Sequence, residues 1–369
     1  MQLRCRQQVT TAGVAVVALA LTLGACSSSS TTSSPSGGSS SSGGGSSPSS
    51  GAALSGTLNG SGSTFQLTFQ QEALSSFKSV QAGVTVNYGG GGSGKGRTDL
   101  AAGTVNFAGS DSPIPTAEQA GFKGKTVLYF PVIIGPITMA YNLSGVSKLQ
   151  LSAPVIAGIF GGKIKTWNDP AIKADNPGVT LPSTPVVLAV RSDSSGTTAN
   201  FSKFLVKGAG SAWTLGSSST IKWPANSHAG SGNAGVAQIV KSTPGAIGYV
   251  DYATAKASGL SYASVKNKSG SYIAPSDTSA SAAAGQATVG SDLTFSAVWA
   301  PGATSYPITY QSWDLVYQTQ SDANTAKMLQ AYLGYLLGDG QKLLSQLGYA
   351  PLPANIDQQA QAQLSKIGS

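Results

Sequence analysis

From residue 56 onward, short β-rich runs alternate with helical patterns, which restricts the chain to an α/β sheet with helices on its faces. Phe65, Phe69, Ala73, Leu74, Phe77 and Val80 mark one apolar helical stripe, and a strand over 84–88 follows. A helix over 97–102, a strand over 105–108 and a turn at Ser110-Asp111-Ser112-Pro113 repeat the unit. Further strands are expected at 126–130, 136–142, 185–190 and 246–250, and helices at 154–160, 197–205, 234–240 and 322–337. In the last helix Met328, Leu329, Tyr332, Leu333, Leu336 and Leu337 recur at helical spacing behind Ser321 as N-cap, and such a stripe is core. No fixed period recurs, which argues against a solenoid.

The chain has two cysteines, Cys5 and Cys26, so a body beginning near residue 54 has no disulfide and must hold together by apolar burial. Both lie in or beside an address segment. Arg4 and Arg6 precede an apolar run over 12–25, and Leu23-Gly24-Ala25 leads into Cys26. That run falls short of the roughly 20 residues a membrane span needs, so residues 1–25 read as a lipoprotein signal peptide with Cys26 as the lipid attachment point. The bland alternative is an ordinary signal peptide with an incidental cysteine. Residues 27–51 are only Ser, Thr, Gly and Pro and bury nothing. The stretch 26–55 therefore reads as a tether, and a coil of that composition spans about 25–30 Å.

Three loops share one composition: Gly60-Ser61-Gly62-Ser63-Thr64-Phe65, Gly91-Gly92-Ser93-Gly94-Lys95-Gly96 and Arg191-Ser192-Asp193-Ser194-Ser195-Gly196-Thr197-Thr198. Each precedes an expected helix. A helix N-terminus presents unpaired N–H groups, Gly lets an anion approach the backbone, and Ser and Thr hydroxyls donate without bulk. Without its signal the chain carries 20 basic and 14 acidic residues, a net of +6 that suits an anionic ligand. Charged residues are 10% of the chain and form no basic run, which argues against nucleic acid.

Enzymatic readings find little to use. Residues 89–95 fit G-x-x-x-x-G-K, but Gly96 stands where a P-loop needs Ser or Thr, and Lys95 reads as a solvated charge at a loop edge. His228 is the one histidine, expected in an exposed loop, and no G-x-S-x-G elbow accompanies it. No metal site and no cofactor is expected.

These segments resemble, in residues and in order, the phosphate-binding proteins of Pst-type ABC importers, the PstS family. The resemblance is carried by residues 59–65, Asn87-Tyr88 with Gly92-Ser93-Gly94, residues 105–111, 162–170 and 191–197, and Leu347-Gly348-Tyr349-Ala350-Pro351-Leu352-Pro353 near the tail. It implies a two-lobed periplasmic-binding-protein fold of type II, each lobe a mixed sheet flanked by helices. Lobe one would be 56–132 plus 311–369 and lobe two 133–310, with crossings near 132–135 and 308–311.

Carried over by position, Thr64, Phe65, Ser93, Asp111, Arg191, Ser195, Gly196 and Thr197 would hold inorganic phosphate, and Asp193 would orient Arg191. Asp111 would accept the proton that phosphate keeps and sulfate lacks. Lys95, Arg97 and a longer Gly run beside the second loop depart from the family pattern and could alter the local field. The implied protein is a monomeric extracytoplasmic lipoprotein, not an enzyme, that delivers phosphate to permease subunits with a cytoplasmic ATPase. The rival readings are a secreted phosphatase on the same scaffold and a phosphate-sensing or structural interaction lipoprotein.

Overall fold

The computed structural model describes residues 54–369; the expected signal peptide, Cys26 and nearly all of the tether lie outside the described residues. In chain order the strands are β1 (Gly56–Gly62), β2 (Val84–Gly91), β3 (Phe107–Ser110), β4 (Val127–Tyr141), β5 (Gln150–Leu151), β6 (Val187–Arg191), β7 (His228–Gly230), β8 (Ala246–Asp251), β9 (Ser261–Tyr262), β10 (Ser264–Lys266), β11 (Tyr272–Ile273) and β12 (Thr309–Tyr317). The helices are α1 (Leu67–Val80), α2 (Ser93–Ala102), α3 (Ala153–Phe160), α4 (Pro170–Asp175), α5 (Gly196–Ala209), α6 (Gly232–Ser242), α7 (Tyr252–Ala257), α8 (Asp277–Ala284), α9 (Ala323–Leu337), α10 (Leu344–Leu347) and α11 (Ala354–Gln363).

Nine strands form one mixed sheet in the order β2-β1-β3-β12-β4-β8-β6-β7, with β9 also paired to β4. The pairs β1–β2, β1–β3, β6–β7 and β6–β8 are parallel, as strands joined through helices must be, while β4 and β12 run antiparallel to their neighbours. β4 ties the sheet's two halves together. Its first part, through Pro136, pairs with β12, and its last part, from Ile137, pairs with β8. At the change of partner the Ile137 N–H donates to the Ile308 carbonyl at 2.8 Å.

Two separate strands are expected at 126–130 and 136–142, and Pro131 and Pro136 lack the N–H a central strand donates. The structure joins them into one. The register slips between Ser312 and Trp313, which face Ile133 and Pro131, so a bulge accommodates Pro131, and Pro136 falls where the strand exchanges partners.

Helix faces follow the apolar pattern with local corrections. Phe69, Ala73 and Phe77 of α1 are buried, and Phe77 meets Tyr332 of α9 edge to face at 5.1 Å. Val80, expected in the stripe, is 58% exposed at the helix end, and Phe65 precedes the helix and stacks on Tyr310 at 4.0 Å. The N-cap of α9 is Asp322, not Ser321: its Oδ1 accepts from the Thr325 N–H at 2.8 Å, and a carboxylate at that end also favours the dipole. α6 packs close on β8 because Gly248 has no side chain; a Cβ there would lie 2.8 Å from Val236 and 2.9 Å from Val240. His228 stands exposed on the edge strand β7 instead of in a loop.

Two buried carboxyls give the fold a pH signature. Burial pushes Asp314 of β12 up to about 7 against hydrogen bonds from Gln70 and Gln66, and pushes Asp251, which caps α7, up to about 6 against bonds from Thr254. Both pKa values lie above the unfolded value of about 4, so the folded state holds more protons between those limits. Their contribution is fully present below pH ~4 and is lost as pH rises toward ~7, at up to about 1.4 kcal/mol per pH unit for each group while it titrates. The thermal midpoint is expected to fall between pH 5 and pH 8. Asp314→Asn, whose amide oxygen still accepts from Gln70, should flatten that slope; a slope identical to wild type would mean Asp314 titrates normally.

Candidate functional site

Four helix N-termini meet where the two halves of the sheet face each other. The first loop leaves β1 at Gly62, whose φ of +132° and close approach to Gly109 admit only glycine, since a Cβ would sit 2.2 Å from the Gly109 carbonyl oxygen. The second loop turns through Gly91 and Gly92, at φ +119° and +92°, into α2, which begins at Ser93 and not at Arg97. The third follows β6 into α5, where the Ser195 Oγ accepts from the Thr198 N–H at 3.1 Å as N-cap. The fourth was not anticipated: Gly232-Asn233 opens α6, and its signal, Ser-Gly-Asn after a short strand, resembles that of the other three.

Asp111, which follows β3, is the centre of the first half's contribution. Its Oδ1 accepts from the Ser63 hydroxyl at 2.5 Å and the Ser312 hydroxyl at 2.6 Å, and the Ser93 hydroxyl lies 3.3 Å from Oδ2. The Asp111 carbonyl accepts from Asn200 of α5 at 2.7 Å, a bond between the halves. Burial raises the Asp111 carboxyl above its ordinary pKa, opposed by the Ser312 and Ser63 hydrogen bonds, the Arg191 charge and the Ser93 bond.

Arg191 answers from the second half. Its guanidinium is buried, bound two-pronged to Asp193 at 2.8 and 2.5 Å, and donates to Thr197 Oγ1 and Asn233 Oδ1 at 3.3 Å each. Burial alone would raise the Asp193 carboxyl; the Arg191 hydrogen bonds and charge, with the Gly232 N–H, bring it below its ordinary value. The pair that a surface reading would place in solvent is thus a fixed element of the cleft.

Thr64, Ser93, Asp111, Arg191, Ser195, Gly196 and Thr197 come together. The Thr64 Oγ1 accepts from the backbone and side-chain N–H groups of Asn233 at 3.2 and 3.3 Å, across the cleft. An ideal Cβ on Gly196 would lie 2.4 Å from Ser93 Oγ and 2.6 Å from Asp111 Oδ2, so the α5 N-terminus abuts the first half's carboxylate. Phe65 is placed differently from expectation: its N–H donates to Ser63 Oγ at 3.1 Å, and its ring is core. Lys95 is exposed and pairs with Asp99 one turn along α2; Arg97 is buried and binds Glu118, Ser110 and Ser112.

Ser63, Ser312, Asn200 and Asn233 were missed. Ser63 lay in a loop already singled out, whereas Ser312 sits in a strand 201 residues from its partner, where nothing local marks it.

Chemically the cleft offers many donors and, apart from Asp193, which Arg191 and Gly232 occupy, one carboxylate. Thr64 and Thr197 oxygens accept in the contacts above and keep their own protons to donate, and the first N–H groups of α5 have no intrahelical partner. Such a set replaces the hydration of a compact oxyanion. The lone acceptor suits an anion that still carries a proton. No cluster of His, Cys, Asp and Glu among the described residues has metal-binding geometry.

Known proteins resemble this chain in sequence and in fold. Residues 47–339 match the PBP superfamily domain. Phosphate-binding protein PstS 3 of Mycobacterium leprae is 36% identical over 309 residues, 80% of this chain and 83% of that protein. Phosphate-binding protein PstS of Pasteurella multocida is 36% identical over 313 residues, 83% and 89% of the two chains. Among solved structures, a high-affinity periplasmic phosphate-binding protein (PfluDING) bound with phosphate superposes with a TM-score of 0.70 at 23% identity, covering 84% of this chain and 94% of that one. A putative phosphate ABC transporter substrate-binding protein with bound phosphate from Clostridium perfringens gives 0.59 at 15% identity, covering 81% and 100%. At such identities the structures establish the fold alone.

Proposed function

Because the chain belongs to the PstS family of phosphate-binding proteins, we propose that it captures inorganic phosphate outside the cytoplasm and hands it to an ABC importer. The observation that carries this reading is the convergence of Asp111, Arg191 and the N-terminus of α5 from opposite halves of the sheet on one buried point. Thr64, Phe65, Ser93, Asp111, Arg191, Ser195, Gly196 and Thr197 surround the anion, and Asp193 holds the guanidinium in place. Phe65 contributes through the Ser63 oxygen that its N–H engages, leaving the Ser63 proton for Asp111.

The lobes are 56–132 with 311–369, and 133–310, and β4 and β12 carry the chain between them. Phosphate touches both lobes only when they meet, so it favours the closed form, which docks on the permease subunits. The protein is a monomer tethered through a lipid on Cys26. It performs no chemistry on its ligand: the one histidine is exposed on β7.

Calorimetry of the purified protein with phosphate, arsenate and sulfate tests the reading. Phosphate and arsenate, which both keep a proton near neutral pH, should bind, and sulfate should not. Absence of phosphate binding would overturn it. Asp111→Asn should admit sulfate by at least tenfold, because the amide can donate where the carboxylate repels; equal rejection by that variant would remove Asp111 from the selecting role.

A further inference from the structure

A line of buried polar side chains leads away from Asp111 into the first half of the molecule, and its hydrogen bonds run in one direction. The Gln66 Nε2 donates to the Trp313 carbonyl at 2.9 Å and to Ser312 Oγ at 2.8 Å. A carbonyl only accepts, so Gln66 must present its NH₂ there, and its second N–H falls to Ser312. Having accepted, Ser312 donates its single proton to Asp111 Oδ1.

Gln66 is oriented in turn from behind. The Gln70 Nε2 donates to Gln66 Oε1 at 2.9 Å and to the Asp314 carboxyl at 3.0 Å, while Gln70 Oε1 accepts from the Tyr332 hydroxyl at 2.5 Å. Turning Gln70 over would set its oxygen against Gln66 Oε1, which can only accept. Gln66, Gln70, Ser312, Asp314 and Tyr332 are all fully buried, so water cannot relax any of these choices.

The effect is concentrated on one oxygen. Ser63, whose oxygen is engaged by the Phe65 N–H, also donates to Oδ1, which therefore receives two protons and has no room for one of its own. Oδ2 is left with the long Ser93 contact and faces the start of α5.

We propose that Gln66 and Gln70 are positioning residues that determine specificity: the chain Tyr332–Gln70–Gln66–Ser312 saturates Asp111 Oδ1 with donors and reserves Oδ2 as the only acceptor for a proton on the ligand. The inference rests on the phosphate reading above and adds what favours the ionised form of Asp111 against its burial, since two donors on Oδ1 stabilise the negative charge. Without Gln66, Ser312 is free to turn and accept from a protonated Oδ1. Asp111 then becomes neutral at little cost and no longer repels an unprotonated oxyanion.

The test uses Gln66→Met and Gln70→Met, near-isosteric replacements that touch no ligand, with phosphate affinity measured by calorimetry and sulfate affinity by competition. The ratio of sulfate to phosphate dissociation constants is expected to fall at least tenfold in Gln66→Met, and in the same direction but less in Gln70→Met. A parallel loss of both affinities at constant ratio would reduce the chain to ordinary packing and overturn the inference. Should Gln66→Met fail to fold by circular dichroism, the ratio in Gln70→Met decides, and an unchanged value there overturns it too. Wild-type protein that binds no phosphate would instead defeat the functional reading; wild-type selectivity kept by both variants would defeat this inference alone.

Discussion

Arg191→Met is expected to weaken phosphate binding between about 30-fold and several thousand-fold. Arg191 is the cation of the cleft, and its guanidinium is buried against Asp193, Thr197 and Asn233. Removing one partner of a buried, hydrogen-bonded charge pair costs about 2–5 kcal/mol, and each 1.4 kcal/mol is tenfold in affinity. Part of that loss comes from Asp193, left as an unpaired negative charge beside the anion. The double variant Arg191→Met with Asp193→Asn should therefore bind about tenfold better than the single one. Calorimetry with phosphate reads both effects, and a single variant within threefold of wild type would place the anion elsewhere.

Gly196→Ala should reduce phosphate affinity by about five- to 150-fold with the fold intact. Its backbone is not in the left-handed region, so alanine is acceptable to the first turn of α5 itself. The obstacle lies across the cleft: the added Cβ would stand 2.4 Å from Ser93 Oγ and 2.5 Å from Asp111 Cβ. Overpacking of that kind costs about 1–3 kcal/mol. The two surfaces belong to opposite halves, so under the proposed closure the cost falls on closing and not on folding. Thermal denaturation without ligand should match wild type, while small-angle scattering with phosphate should show a larger radius of gyration. Wild-type affinity in this variant would mean that the α5 N-terminus and Asp111 need not approach when the anion is held.

Much of the site was legible because its parts are local. A Gly/Ser run that ends a strand and opens a helix makes an anion cradle from backbone geometry alone, and three such loops were visible in the sequence. The apolar stripe of α9 was equally plain. Where local rules competed, the reading failed. Two strands were read at 126–130 and 136–142, but a bulge opposite Ser312 and Trp313 lets β4 run through Pro131 as one. Ser321 and Asp322 were both able to cap α9, and the carboxylate took the position.

The amino-acid sequence by itself determined the α/β alternation, the donor-rich loops and the acid and arginine poised among them, since each depends on neighbours within a few residues. Only the tertiary structure decided that Ser312 donates to Asp111, that Asn233 reaches Thr64, and that Gln66 and Gln70 line up behind the carboxylate. Those contacts join residues up to 246 apart, and strand register and helix packing, which are settled by burial of the whole core, choose which side chains meet.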